Sequence, residues 1–162
     1  MMNNKDNKWN VGWLTAIIND DYSVEAWAEP DEFLFRVHCC DRDEAEIAAS
    51  SFVNLFENPL ICCLADYEDI KKMAVAANHQ AKFWRFESFD NESMKDFMNR
   101  IEHELPQSHN YLLHLEGDIN PLAGDIACID VPGEPDFLDL TVTHKEDLEY
   151  KALTVFAFKA PT

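Results

Sequence analysis

Apolar and polar positions along the chain follow two rhythms. Residues 33–40 (FLFRVHCC), 60–65 (LICCLA), 82–89 (KFWRFESF) and 111–116 (YLLHLE) are short, apolar-rich runs that predict strands. Between them, apolar side chains recur every third or fourth residue. Ala45, Ala48, Ala49, Phe52 and Phe56 stripe residues 41–58. Tyr67, Ile70, Ala74 and Ala77 stripe 66–80, and Met94, Phe97, Met98, Ile101 and Leu105 stripe 90–105. Such stripes predict helices that bury one face. Each helix opens on an aspartate suited to capping: Asp41 with Glu44, Asp66 with Asp69, Asp90 with Ser93. Phe89 and Met94 have the spacing of a hydrophobic staple. Strands alternating with single helices on short connections predict a mixed α/β fold with a largely parallel β-α-β-α-β-α-β centre.

The flanks read differently. Residues 8–18 and 22–29 alternate around NDDY and predict an N-terminal hairpin. Residues 117–136 hold three of the four glycines and three of the seven prolines, so the helical pattern stops there. Residues 137–143 and 150–159 then predict a closing pair of antiparallel strands. With no repeat or linker, residues 1–162 read as a single acidic α/β domain.

Composition narrows the chemistry. At 47% hydrophobic the 162 residues can bury a real core, and no apolar run is long enough for a membrane span. The segment WNVGWLTAII reads as a strand rather than a signal peptide. Five cysteines, an odd number with Cys39–Cys40 and Cys62–Cys63 adjacent, do not form a disulfide framework and fit a reducing cytoplasm. Neighbouring strand residues point to opposite faces, so neither doublet can converge on one ion. Phe33, Phe35, Val37 and Cys39 form the expected core face, with Leu34, Arg36, His38 and Cys40 opposite. The thiols are expected to be packing residues.

None of the strand-to-helix turns contains glycine, so no phosphate-cradling loop is available and no nucleotide cofactor is expected. His103, Glu104, His109 and His114 share no ligand spacing, and His114 with Glu116 reads as the wetter face of a strand. Asp118, Asn120, Asp125, Asp130, Glu134 and Asp136 do not follow the order of a calcium loop. Neither a metal site nor a catalytic set is expected.

Charge carries the functional reading. Thirty-one acids against thirteen Lys and Arg give a net −18, which excludes bare nucleic acid and favours a basic protein partner. The charge is patterned. Ten acids against Arg36 and Arg42 lie between Asp20 and Glu46, and seven acids with no Lys or Arg lie between Glu116 and Asp139. Lys71, Lys72, Lys82 and Arg85 form a basic island. Trp27 stands between Glu25 and Glu29 on one strand face, an aromatic anchor ringed by acids. The expected partner-binding residues are Asp20, Asp21, Glu25, Trp27, Glu29, Asp118 and Asp125. Together these features predict a non-catalytic acidic protein that docks on a basic partner and neutralises it. In composition it is comparable to the small acidic immunity proteins that bacteria make against nuclease toxins. The alternatives are a small cytosolic enzyme with an acidic site at the carboxyl edge of its parallel strands, using His38 or Cys40, and a structural or adaptor subunit. A homodimer is compatible with all three.

Overall fold

A computed structural model describes residues 7–56, 66–105, 107–108, 110–118, 131, 133 and 135–159. The chain is a mixed α/β protein. Its described strands are β1 (Lys8–Val11), β2 (Leu14–Ile18), β3 (Val24–Ala28), β4 (Glu32–Val37), β5 (Gln80–Glu87), β6 (Asn110–Gly117), β7 (Phe137–His144) and β8 (Ala152–Phe158). The described helices are α1 (Arg42–Asn54), α2 (Tyr67–Ala76) and α3 (Met94–Ile101). The strands form one sheet in the order β1-β2-β3-β4-β5-β8-β6-β7. Among the described residues no helix is long and apolar enough to cross a membrane.

The N-terminal part is an antiparallel meander rather than a single hairpin. The first expected strand breaks at Gly12, whose φ of +53° lies in the left-handed region that glycine adopts without strain. A β1–β2 hairpin therefore precedes the expected β2–β3 hairpin. The latter turns at Asn19–Tyr22, where the Asp21 carboxylate accepts from the Ser23 amide at 3.0 Å and its hydroxyl at 2.6 Å.

β4 runs parallel to β5, as the alternation of elements predicts, but they share only the pairs Arg36↔Gln80 and Val37↔Ala81. The end of one strand meets the start of the other. The parallel centre is then interrupted, because β8 lies antiparallel between β5 and β6. β7 and β8 are not the adjacent pair expected: β7 pairs with β6 in parallel, and β6 separates it from β8. The expected strand at 60–65 lies outside the described residues.

The helices sit where the stripes place them. Asp41 accepts from the Glu44 amide, while Glu44 reaches back to the Cys40 amide. Asp66 and Asp69 form a complete capping box. α3 starts later than expected, with Ser93 rather than Asp90 as its cap. That shift removes the staple: Met94 is buried, but Phe89 is 64% exposed beneath the Arg100 guanidinium, 4.0 Å from its ring centroid.

Two clusters make the core. On one sheet face, α1 and α2 pack on Ala16, Val24, Phe35, Val37, Leu112, Phe156 and Phe158. On the other, α3 packs on Tyr111, Leu113, Leu115, Leu153 and Val155. β6 and β8 feed both clusters from alternate residues, as strands covered on both sides must.

Candidate protein-binding face

Alternation along β3 sends Val24, Ala26 and Ala28 into the core and turns Glu25 and Trp27 the other way. No described helix covers β1–β4 on that second face. A β-bulge in β4 changes the expected pattern there. Ala26 pairs with Phe35 and Trp27 with Phe33, leaving Leu34 as the extra residue. Phe33 therefore leaves the core face to which simple alternation assigns it. It lies beside Trp27, with ring centroids 5.5 Å apart, and 5.8 Å from the His79 ring.

Glu25 organises this aromatic patch. One oxygen accepts from the Trp27 indole N–H at 3.1 Å, and the other pairs with the Arg36 guanidinium. Burial opposes ionisation of Glu25, but the hydrogen bonds from Arg36 and Trp27 outweigh it and hold the carboxyl below its ordinary value. Glu25 therefore fixes the indole rather than standing free. Beside it lies a groove of about 300 Å³ whose lining includes Thr15, Ile17, Trp27 and Pro30, with Lys8 also present. Glu29 and Asp31 complete it; both are exposed, and neither side chain has an ion pair or hydrogen bond among the described residues. An aromatic wall with two unneutralised carboxylates can receive a cationic side chain.

The other expected contact residues are not gathered here. Asp20 and Asp21 are exposed in the β2–β3 turn, at the far end of β3 from Glu29. Asp21 is also engaged, its carboxyl held low by the Ser23 hydrogen bonds. Asp118 is exposed beyond β6, four strands from β3, about 19 Å across the sheet. It lies 3.9 Å from His144. Asp125 lies outside the described residues. The basic island is divided as well: Lys71 pairs with Glu32 at 3.0 Å, and Arg85 joins a buried network.

At the carboxyl end of β4, His38 and Cys40 are exposed and Cys39 is half-buried; Cys40 lies opposite the core face, as alternation predicts, but is not the packing residue expected. Burial, together with Glu44, Cys40 and Asp41, pushes the Cys39 thiol up to about 12. A hydrogen bond and the charge of Glu44 raise that of Cys40. Both shifts oppose a nucleophilic thiolate. Cys62 and Cys63 lie outside the described residues. Among the described residues no three His, Cys, Asp or Glu side chains come together as metal ligands.

The expectation for His114 and Glu116 is overturned. His114 is fully buried and Glu116 is 5% exposed. Arg85, Thr154, His114 and Thr141 stand side by side across β5, β8, β6 and β7. Arg85 reaches Glu116 at 3.0 Å and Thr154 at 3.3 Å, and Lys145 closes on the other Glu116 oxygen at 2.7 Å. His114 Nε2 meets the Thr143 hydroxyl at 2.9 Å, while its Nδ1 has no hydrogen-bond partner. Burial, with Lys145 and Arg85 adding to it and Glu116 opposing, pushes the imidazole down to about 4, so it is neutral at pH 7. Burial works against the Glu116 carboxylate, but the Lys145 ammonium and the Arg85 guanidinium hold its carboxyl below the ordinary value. The sequence signal for this cluster is slight: alternation of Leu with His and Glu describes a wet face and a buried polar row equally well.

The fold is similar to that of FtsZ from M. jannaschii, solved as a tryptophan-to-tyrosine variant. The two share 18% sequence identity and superpose with a TM-score of 0.55 over 72% of this chain. The chain spans 39% of that FtsZ chain's length. No protein-family model matches the sequence, and no curated protein sequence matches it. At this identity the likeness is one of fold.

Proposed function

We propose that this is a non-catalytic acidic binding protein of the immunity type, which docks on a basic protein such as a nuclease-like toxin and neutralises it. The observation that carries the reading is the Trp27–Phe33 patch beside the unpaired carboxylates of Glu29 and Asp31. The net charge of −18 supplies the long-range attraction, and the aromatic pair supplies the anchor. Of the residues expected from sequence, Glu25, Trp27 and Glu29 belong to this contact face, with Glu25 as a positioning residue. Asp20, Asp21 and Asp118 act through the general field. The free thiols of Cys39 and Cys40 suit a cytoplasmic site of action.

The test is affinity capture from the source cell with the parent and with Trp27→Ala, followed by surface-plasmon kinetics on the captured partner. A basic protein should be retained by the parent and lost more quickly by the variant, whose off-rate rises by about thirty-fold if Trp27 contributes about 2 kcal/mol. Glu29→Gln with Asp31→Asn should slow association, steeply at low salt. Lys72→Glu should change neither rate. Equal kinetics for Trp27→Ala and the parent would remove this face from the interaction. Turnover of a small molecule with no basic partner captured would return the reading to an enzyme.

A further inference from the structure

A second cavity, of about 330 Å³, opens where β5 begins and β8 ends. Its wall follows from the strand register. Lys82 is paired with Ala157, so alternation places Gln80, Lys82 and Trp84 of β5 on the same face as Ala157 and Lys159 of the β8 strand. The segment leading into β6 adds Gln107 and Ser108. The Ser108 amide donates to the Tyr111 hydroxyl at 2.7 Å, and Tyr111 is fully buried, so this side of the pocket is anchored to the core.

The charge of this pocket runs against that of the whole molecule. All four arginines, Lys71 and Lys145 sit in ion pairs. Lys82 and Lys159 do not: both are exposed, neither has a partner among the described residues, and both line this one cavity. No described lining residue is acidic. Trp84 offers a half-buried indole on the same wall. Ser108 is 8% exposed, and its buried hydroxyl has no hydrogen-bond partner. Ser108 lines the pocket, so that hydroxyl is a donor left unused at its wall. Two unpaired ammonium groups, two carboxamides, a spare hydroxyl and an aromatic wall are complementary to an anion on a flat apolar body.

We infer that this pocket binds a small aromatic carboxylate, its anion held by Lys82 and Lys159 and its ring set against Trp84. The site is separate from the Trp27 face and does not depend on the binding function proposed above.

Amide and indole NMR shifts of the full chain, titrated with 1-naphthoate and with the uncharged, near-isosteric 1-naphthamide, test this directly. Naphthoate should give saturable shifts at Lys82, Ser108, Ala157 and the Trp84 indole, and bind about five-fold more tightly than the amide, as exposed ion pairs allow. Lys82→Gln with Lys159→Gln, both at exposed positions, should abolish that preference without altering the rest of the spectrum. Trp84→Leu should weaken both ligands alike. The inference is overturned if no saturable shifts occur, if they map elsewhere, if the two ligands bind equally, or if the double variant keeps the preference.

Discussion

Lowering the pH from 7.5 to 5 should destabilise the protein chiefly through His114. Its imidazole titrates near 4 in the folded chain against an ordinary 6.5. The native state therefore binds this proton less well than the unfolded state does. Stability is complete above 6.5, falls as the pH drops from 6.5 towards 4, and is level with respect to this group below that. At 1.36 kcal/mol per pH unit the gap corresponds to about 3 kcal/mol, of which about 2 kcal/mol is lost by pH 5. For a chain of this size that is a fall in Tm of roughly 4–8 °C. Glu116 and Arg85, which help to set the imidazole's field, keep their charges across this window, the carboxyl being held low by its cationic partners and the guanidinium held high by its carboxylates. The lowered carboxyls Glu25, Glu32, Glu92 and Glu116 lose their contributions only as pH falls below their ordinary 4.5. Urea unfolding followed by tryptophan fluorescence at pH 7.5, 6.5, 5.5 and 5.0 measures the slope. His114→Gln, which does not titrate, should be less stable at pH 7.5 but should lack the fall between 6.5 and 5. If the variant and the parent lose stability in parallel, the buried imidazole is not the cause and the argument fails.

Three further outcomes follow from contacts described above. Arg85→Leu should cost about 3 kcal/mol by leaving the buried Glu116 carboxylate with Lys145 as its remaining ion-pair partner. Adding Glu116→Gln should recover part of that loss in the same denaturation assay. Ser93→Ala should lower stability by about 1 kcal/mol through loss of the α3 cap, whereas Asp90→Ala should stay within about 0.5 kcal/mol, as thermal melts by circular dichroism will show. Iodoacetamide should modify Cys40 slowly at pH 7.5 despite its exposure, and Glu44→Gln should speed that reaction several-fold, read by peptide mass spectrometry.

The helices were legible because their determinants are local. A stripe and a capping side chain lie within a few residues of each other, and Asp41 and Asp66 perform the roles their spacing predicts. Even the failure at Asp90 is local, a competition between two capping residues three positions apart that Ser93 wins. Strand order is a different problem. Nothing in the sequence near 152–158 states that this strand enters between β5 and β6, since that choice is decided by which faces must be covered. The bulge at Leu34 has the same character: one unpaired residue moves Phe33 across the sheet, and no turn signal announces it. At the candidate site, alternation along the strand was enough to turn Trp27 away from the core and leave Glu29 exposed. The restraint of Glu25 by Arg36 was not legible, because it depends on the β3–β4 register. His114 was misread for want of knowing that both faces of β6 are buried.

The position of β8 also sets the order in which this protein can assemble. The meander β1–β4 closes by neighbouring hairpins, whose contacts span few residues and form quickly. β5 and β6 are in the opposite situation. They have no ladder with one another, and residues 152–158, later in sequence than any other described strand, must arrive to bridge them. Until then the apolar edges of both strands are open, with the Phe156 and Phe158 sites of the core unfilled. The insertion of β8 into a waiting gap is therefore the expected slow step of folding. A competing strand from another copy in that gap is the characteristic route to misassembly of such a sheet. Raising the strand propensity of residues 152–158 should shorten the exposed interval, whereas stabilising the meander should leave it unchanged.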